Sequence, residues 1–177
     1  MSRRVLLIEP NYRNKYPPIG LMKLSTYHKM LGDEVTFYKG EFIEFVLDEI
    51  YSELLKKLYW NDSSVFWEEH RDLIIRYIRQ GLSSAFQELE ILSQDALVKE
   101  NLKAYRDYYY KKKYLQNPTW DRICITTLFT FHWEKTVATI NSFKRLCKSP
   151  AQVFVGGIAA SVVPEEMKAE TGITPVV

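Results

Sequence analysis

The sequence predicts an α/β fold: a doubly wound, mainly parallel sheet with a large all-helical insertion after its second strand. Three observations predict it. Apolar runs of strand length stand near both ends of the chain, amphipathic helical stretches follow them, and the stretch from 41 to 117 shows helical periodicity alone.

Arg4-Val5-Leu6-Leu7-Ile8-Glu9 is continuously apolar between its ends, as a strand buried on both faces must be. From Gly20 to Leu31 the positions Leu21, Leu24, Tyr27 and Leu31 recur at helical spacing, and Gly32 is a helix stop. Glu34 to Tyr38 alternates, which suits an edge strand. Arg122 to Leu128 and Gln152 to Val155 are further buried strands. Between them Val137, Ile140, Phe143 and Leu146 line one face of a helix from Trp133, and a last short helix runs from Glu165 to a stop at Gly172. The order βαβ…βαβα implies right-handed crossovers and a Rossmann-like or flavodoxin-like sheet.

The insertion carries apolar stripes at Ile43, Leu47, Ile50, Leu54 and Leu58, at Leu73, Ile74, Tyr77 and Ile78, at Ala85, Phe86, Leu89 and Leu92, and at Leu102, Tyr105 and Tyr109. Asn61-Asp62-Ser63-Ser64 reads as a turn and cap, and Gly81 as a break. A crossover needs only a dozen or so residues, so these are three or four added helices. The expected organisation is an α/β domain over 1–40 and 118–177, with a helical insertion over 41–117.

Composition excludes several classes. The net charge of +2 is too small to argue for nucleic acid or anionic membrane. Tyr105 to Tyr114 mixes lysines with tyrosines, but a helix with buried rings and a solvated lysine face accounts for it. There is no apolar stretch of membrane-spanning length, and the basic start Met1-Ser2-Arg3-Arg4 leads into an apolar run too short for a signal peptide, so a cytoplasmic location is expected. The two cysteines, Cys124 and Cys147, lack metal-ligand spacing and read as buried thiols. No Gly-x-Gly-x-x-Gly turn follows the first strand, which argues against a dinucleotide site.

Ligands of such sheets bind beyond the carboxyl ends of the strands. Three segments stand there: Pro10 to Gly20, Phe129 to Trp133, and Gly156 to Ser161. The Gly156-Gly157 pair lets backbone approach a bulky ligand, or serves a tight strand-to-helix turn.

Ile125-Thr126-Thr127-Leu128 with Phe129-Thr130-Phe131-His132 resembles the strand and loop that carry the Ser-x-Leu motif of cobalamin-binding domains. Val153 to Ser161 is similar to their Gly-Gly strand end. Tyr16-Pro17-Pro18-Ile19-Gly20-Leu21 and Leu31-Gly32-Asp33-Glu34-Val35 resemble the opening of radical S-adenosylmethionine enzymes that carry this domain at their N-terminus. The resemblance implies a corrinoid whose nucleotide tail is bordered by Thr126, Leu128, Phe129, Thr130, Gly156, Gly157, Ile158, Ala159 and Gly20. Thr126 takes the place of the motif serine, with a hydroxyl for the dimethylbenzimidazole, or is a β-branched strand residue only. The cobalt-ligating Asp-x-His-x-x-Gly is absent from Asn11 to Gly20, so the resemblance implies cobalamin without a histidine ligand from that loop. His132, in the loop after Leu128, either replaces it or packs with Phe131 and Trp133; His28 and His70 read as surface or helix-packing residues. The resemblance further places a [4Fe–4S] cluster and S-adenosylmethionine in a downstream domain of the same polypeptide, and assigns no catalytic residue and no metal ligand to this chain. The alternative is a cofactor-free module whose insertion binds a partner or that enzyme domain.

Overall fold

A computed structural model describes residues 2–14 and 16–176; Met1, Lys15 and Val177 lie outside the described residues. Four strands, β1 (Arg4–Glu9), β2 (Glu34–Lys39), β3 (Arg122–Thr127) and β4 (Val153–Gly157), form one sheet in the order β2-β1-β3-β4. Every pairing is parallel. The fold is thus the α/β, Rossmann-like one, with the helical insertion after β2.

The continuous apolar runs do what their composition dictates: Val5, Leu6, Leu7 and Ile8 have no solvent exposure. Helix α1 (Ile19–Met30) covers one face of the sheet, where Leu21 meets Val5, Leu7 and Cys124, with Val35 and Phe154 beside them. Residues of opposite parity point to the other face, where Tyr38 meets Phe143 of α7 (Trp133–Phe143). Helices α8 (Ile158–Val162) and α9 (Pro164–Thr171) follow β4.

Two particulars depart from the periodicity. The inward line of α1 is Leu21 and His28, while Leu24, Tyr27 and Leu31 are exposed. His28 is drawn inward by Asp33, whose carboxylate lies 2.7 Å from its Nδ1 and also receives the Arg3 guanidinium at 2.7 and 3.1 Å. Gly156 and Gly157 are the last two residues of β4 rather than a loop after it.

The chain divides into two compact units, Met1–Phe42 with Asn117–Val177, and Ile43–Gln116. The second is built from α2 (Phe42–Asn61), α3 (Arg71–Gln80), α4 (Ser83–Leu92), α5 (Ala96–Tyr110) and the single turn α6 (Lys113–Gln116). Ion pairs of Arg71 with Asp48 and of Arg79 with Glu44 lay α3 antiparallel on α2, and Arg76 with Glu88 joins α3 to α4. Leu54, Leu58, Ile74, Ile78, Ala85, Leu89, Val98 and Leu102 are fully buried, as amphipathic stripes require. Among the described residues no helix is long and apolar enough to cross a membrane.

Candidate functional site

Strand register builds a row of four residues across the carboxyl edge of the sheet, on the face that carries α1. Lys39 of β2 pairs with Glu9 of β1, and Thr126 of β3 pairs with Gly156 of β4. Ile8 stands opposite Ile125, so the next residues along, Glu9 and Thr126, are neighbours too. An ammonium, a carboxylate, a hydroxyl and a side-chain-free position therefore lie side by side where parallel sheets bind ligands.

Glu9 is buried, 1% exposed, and its carboxylate meets two donors. Lys39 Nζ lies 3.2 Å and Asn14 Nδ2 3.1 Å from Glu9 Oε1, and Lys39 also donates to Asn14 Oδ1. This triangle ties the loop after β1 to the end of β2. Thr126 is half-buried, and its hydroxyl has no hydrogen-bond partner among the described residues. A Cβ placed on Gly156 would meet only the Val176 carbonyl oxygen at 3.6 Å. The two residues singled out from sequence thus come together as a cross-strand pair, with the C-terminal backbone alongside through Val176 N donating to the Val155 carbonyl at 2.8 Å.

The neighbouring threonine has the opposite role. Thr127 is fully buried; its hydroxyl donates to the Gly156 carbonyl at 3.0 Å and accepts the Ala160 amide at 2.9 Å. It staples β3 to the start of α8. Gly157, at φ +107°, is held 2.3 Å in Cβ terms from the Thr127 carbonyl oxygen, so this glycine serves the turn itself.

The remaining sequence-derived positions scatter. Leu128 is half-buried, and Ala159 is fully buried and faces no ligand space. Phe129 and Thr130 are exposed, Phe129 stacking on Phe131 at 4.8 Å. Ile158 is exposed, and Gly20 lies in the first turn of α1 with open space at its Cβ position. A cleft of about 330 Å³ does exist, lined by Thr130, Trp133, Val163, Glu166, Ala169 and Glu170. It shares only Thr130 with the expected site, and its two carboxylates oppose an anionic ligand.

Tyr12 is a residue that periodicity does not reveal. It leaves the loop after β1 and is 3% exposed between the ends of β1 and β3, the place where the strand order reverses. Thr136 spends its proton on the His132 carbonyl at 2.9 Å, so the Tyr12 hydroxyl donates to Thr136 at 2.6 Å. Burial pushes the Tyr12 hydroxyl above its ordinary pKa, opposed by its hydrogen bonds with Thr136 and the Leu128 backbone. Its ring stacks on His132 at 5.4 Å, and Phe131 lies against the same imidazole at 4.6 Å. His132 is therefore an aromatic packing partner.

Chemistry of the donors limits what the chain can hold. Among the described residues no three His, Cys, Asp or Glu side chains come together as a metal-binding group. Cys124 and Cys147 are both buried, and burial pushes the Cys124 thiol up to about 11, which suits neither a cluster ligand nor a nucleophile. The residues do not fit an iron–sulfur cluster. No family model, no curated protein and no solved structure matches this chain.

Proposed function

We propose that this chain is the cobalamin-binding-like α/β domain of a radical S-adenosylmethionine enzyme, and that it receives the nucleotide tail of a corrinoid at the carboxyl edge of β3 and β4. The observation that carries the reading is the pairing of Thr126, whose hydroxyl has no partner among the described residues, to Gly156 on one face of the sheet. In this reading Thr126 offers a hydrogen bond to the benzimidazole, Gly156 clears the space beside it, and the Lys39–Glu9–Asn14 triangle fixes the adjacent wall. The chemistry of the enzyme would come from a cluster and S-adenosylmethionine bound by another domain, because the two thiols here are buried.

The test is equilibrium binding of hydroxocobalamin to the purified chain, read by retention of corrinoid on gel filtration and by the visible spectrum. Retention that is lost in Gly156→Leu and weakened in Thr126→Val, with the circular dichroism of both unchanged, is the expected result. No retained corrinoid in the parent chain, or retention indifferent to both substitutions, rejects the reading.

One observation favours a second reading, a cofactor-free interaction module. Tyr12 occupies the crevice between β1 and β3, and Phe131, Ile158 and Val162 expose apolar surface. That reading expects no corrinoid in the same experiment.

A further inference from the structure

Hydrogen bonds gather four segments at one end of the helical unit. The antiparallel alternation brings together the last turn of α2, the segment before α3, the last turn of α4 and the first turn of α5. Asp62 is the hub. Its carboxylate accepts the Ser64 amide at 3.1 Å and the Ser93 hydroxyl at 2.6 Å, and its carbonyl accepts the Trp67 indole at 2.8 Å. Ser93 in turn receives the Asp95 amide, and Asp95 caps α5 through Leu97 and Val98. This network holds backbone, so the side chains that project from it are presented on a rigid frame.

Those side chains are large and apolar. Trp60 is 89% exposed, Ile91 77%, Phe66 73% and Leu97 54%. Each stands within two residues along the chain of a group in the Asp62 network, whose hydrogen bonds bring these segments to one end of the unit. Trp and Phe on a fixed backbone are the residue types that anchor interfaces. The surround is acidic: residues 60–72 and 90–100 carry seven Asp or Glu and two Lys or Arg, in a chain whose net charge is +2.

The outer face of α1 is the complement. Ile19, Met22, Tyr27 and Met30 are 63, 56, 56 and 83% exposed, Lys23 and Lys29 are exposed beside them, and the helix contains no acidic residue. A cationic, Met-rich apolar helix face and an acidic aromatic patch are matched in charge and in character.

We infer that the acidic, tryptophan-bearing end of the helical unit docks the outer face of α1 of a second copy of this chain. Trp60 and Phe66 take up the methionine and tyrosine side chains, while Glu69 and Asp72 meet Lys23 and Lys29. Such a contact joins different surfaces of the two molecules, so it closes a ring or a reciprocal dimer, or grows with concentration. The inference is independent of any corrinoid.

Sedimentation velocity across a concentration series tests it. The parent chain self-associates, and raising the salt weakens association at least about tenfold, as expected for charges near the surface. Trp60→Ala, at a position that buries nothing in the monomer, leaves circular dichroism unchanged and abolishes association. Lys23→Glu/Lys29→Glu and Glu69→Lys/Asp72→Lys are each monomeric alone, and an equimolar mixture of the two associates. A parent chain that is monomeric throughout, association that survives Trp60→Ala, or a mixture that stays monomeric overturns the inference.

Discussion

Gly157 approaches Thr127 so closely that a Cβ on the glycine would fall 2.3 Å from the Thr127 carbonyl oxygen and 2.9 Å from its amide nitrogen. These neighbours are backbone atoms of a buried strand, which cannot swing aside, and the glycine's φ of +107° is closed to other residues. Gly157→Ala should therefore cost about 3 kcal/mol or more of stability. Gly156→Ala, whose Cβ would meet one atom at ordinary van der Waals distance, should change stability by less than about 1 kcal/mol. Urea denaturation of the two variants checks this, and equal costs would refute the division of labour between the glycines.

Thr126 and Thr127 should separate in the same way. Thr127→Val leaves the Gly156 carbonyl and the Ala160 amide without their buried partner and should cost about 1–3 kcal/mol. Thr126→Val removes a hydroxyl with no partner among the described residues and should be close to neutral in stability. The two urea midpoints are the measurement. A stability loss at Thr126 as large as that at Thr127 would mean that its hydroxyl is engaged in the fold rather than free for a ligand.

The pair also shows where sequence reading stops. A strand buried on both faces is apolar throughout, so it lacks the alternation that tells which of two adjacent threonines faces which way. Ile125-Thr126-Thr127 locates the strand but leaves that choice open. The inward line of α1 failed for a related reason. Leu21 and His28 are seven residues apart and share a face, but a histidine does not count as apolar, and its partner Asp33 lies outside the helix. Tyr12 sits alone in a proline-containing loop and has no period to betray it. The insertion was the most legible part, because Leu54, Leu58, Ile74, Ile78 and Leu89 repeat at 3.6-residue spacing and are buried by it. Glu9 closes the first apolar run and Lys39 lies one residue beyond the expected strand Glu34 to Tyr38; their meeting follows from register, which one sequence does not supply.

Asp33 sets an acid limit on stability. The Arg3 guanidinium first, and then His28, hold its carboxyl well below the usual carboxylate range. The unfolded chain, with an ordinary carboxyl near about 3.9, takes up the proton first as pH falls. Stability from this group is thus fully present above about pH 5 and is lost as pH drops through about 4 toward the folded-state value. Asp33→Asn lacks the ionised partner at every pH. The gap in urea midpoint between parent and variant should be widest at pH 7 and should narrow by pH 3. A gap of the same size at both values would exclude Asp33 as a source of the acid sensitivity.

Tyr12 decides whether the crevice between β1 and β3 is core or opening. If its ring is core, Tyr12→Ala loses buried area and leaves a cavity, at about 3–5 kcal/mol, the range for large aromatic truncations. Tyr12→Phe keeps the stack on His132 and loses the 2.6 Å bond to Thr136 and the bond with the Leu128 backbone, at about 1–2 kcal/mol. Because Thr136 spends its own proton on His132, it is left as an unmet acceptor in Tyr12→Phe, and Thr136→Val added to that variant should cost less than Thr136→Val alone. If instead the ring is a movable cover over a ligand space, Tyr12→Ala costs little and raises hydroxocobalamin retention above that of the parent chain. The packing of Tyr12, 3% exposed and bonded through Thr136 to the helix that follows β3, supports the first outcome. Urea denaturation of the four variants distinguishes it from the second.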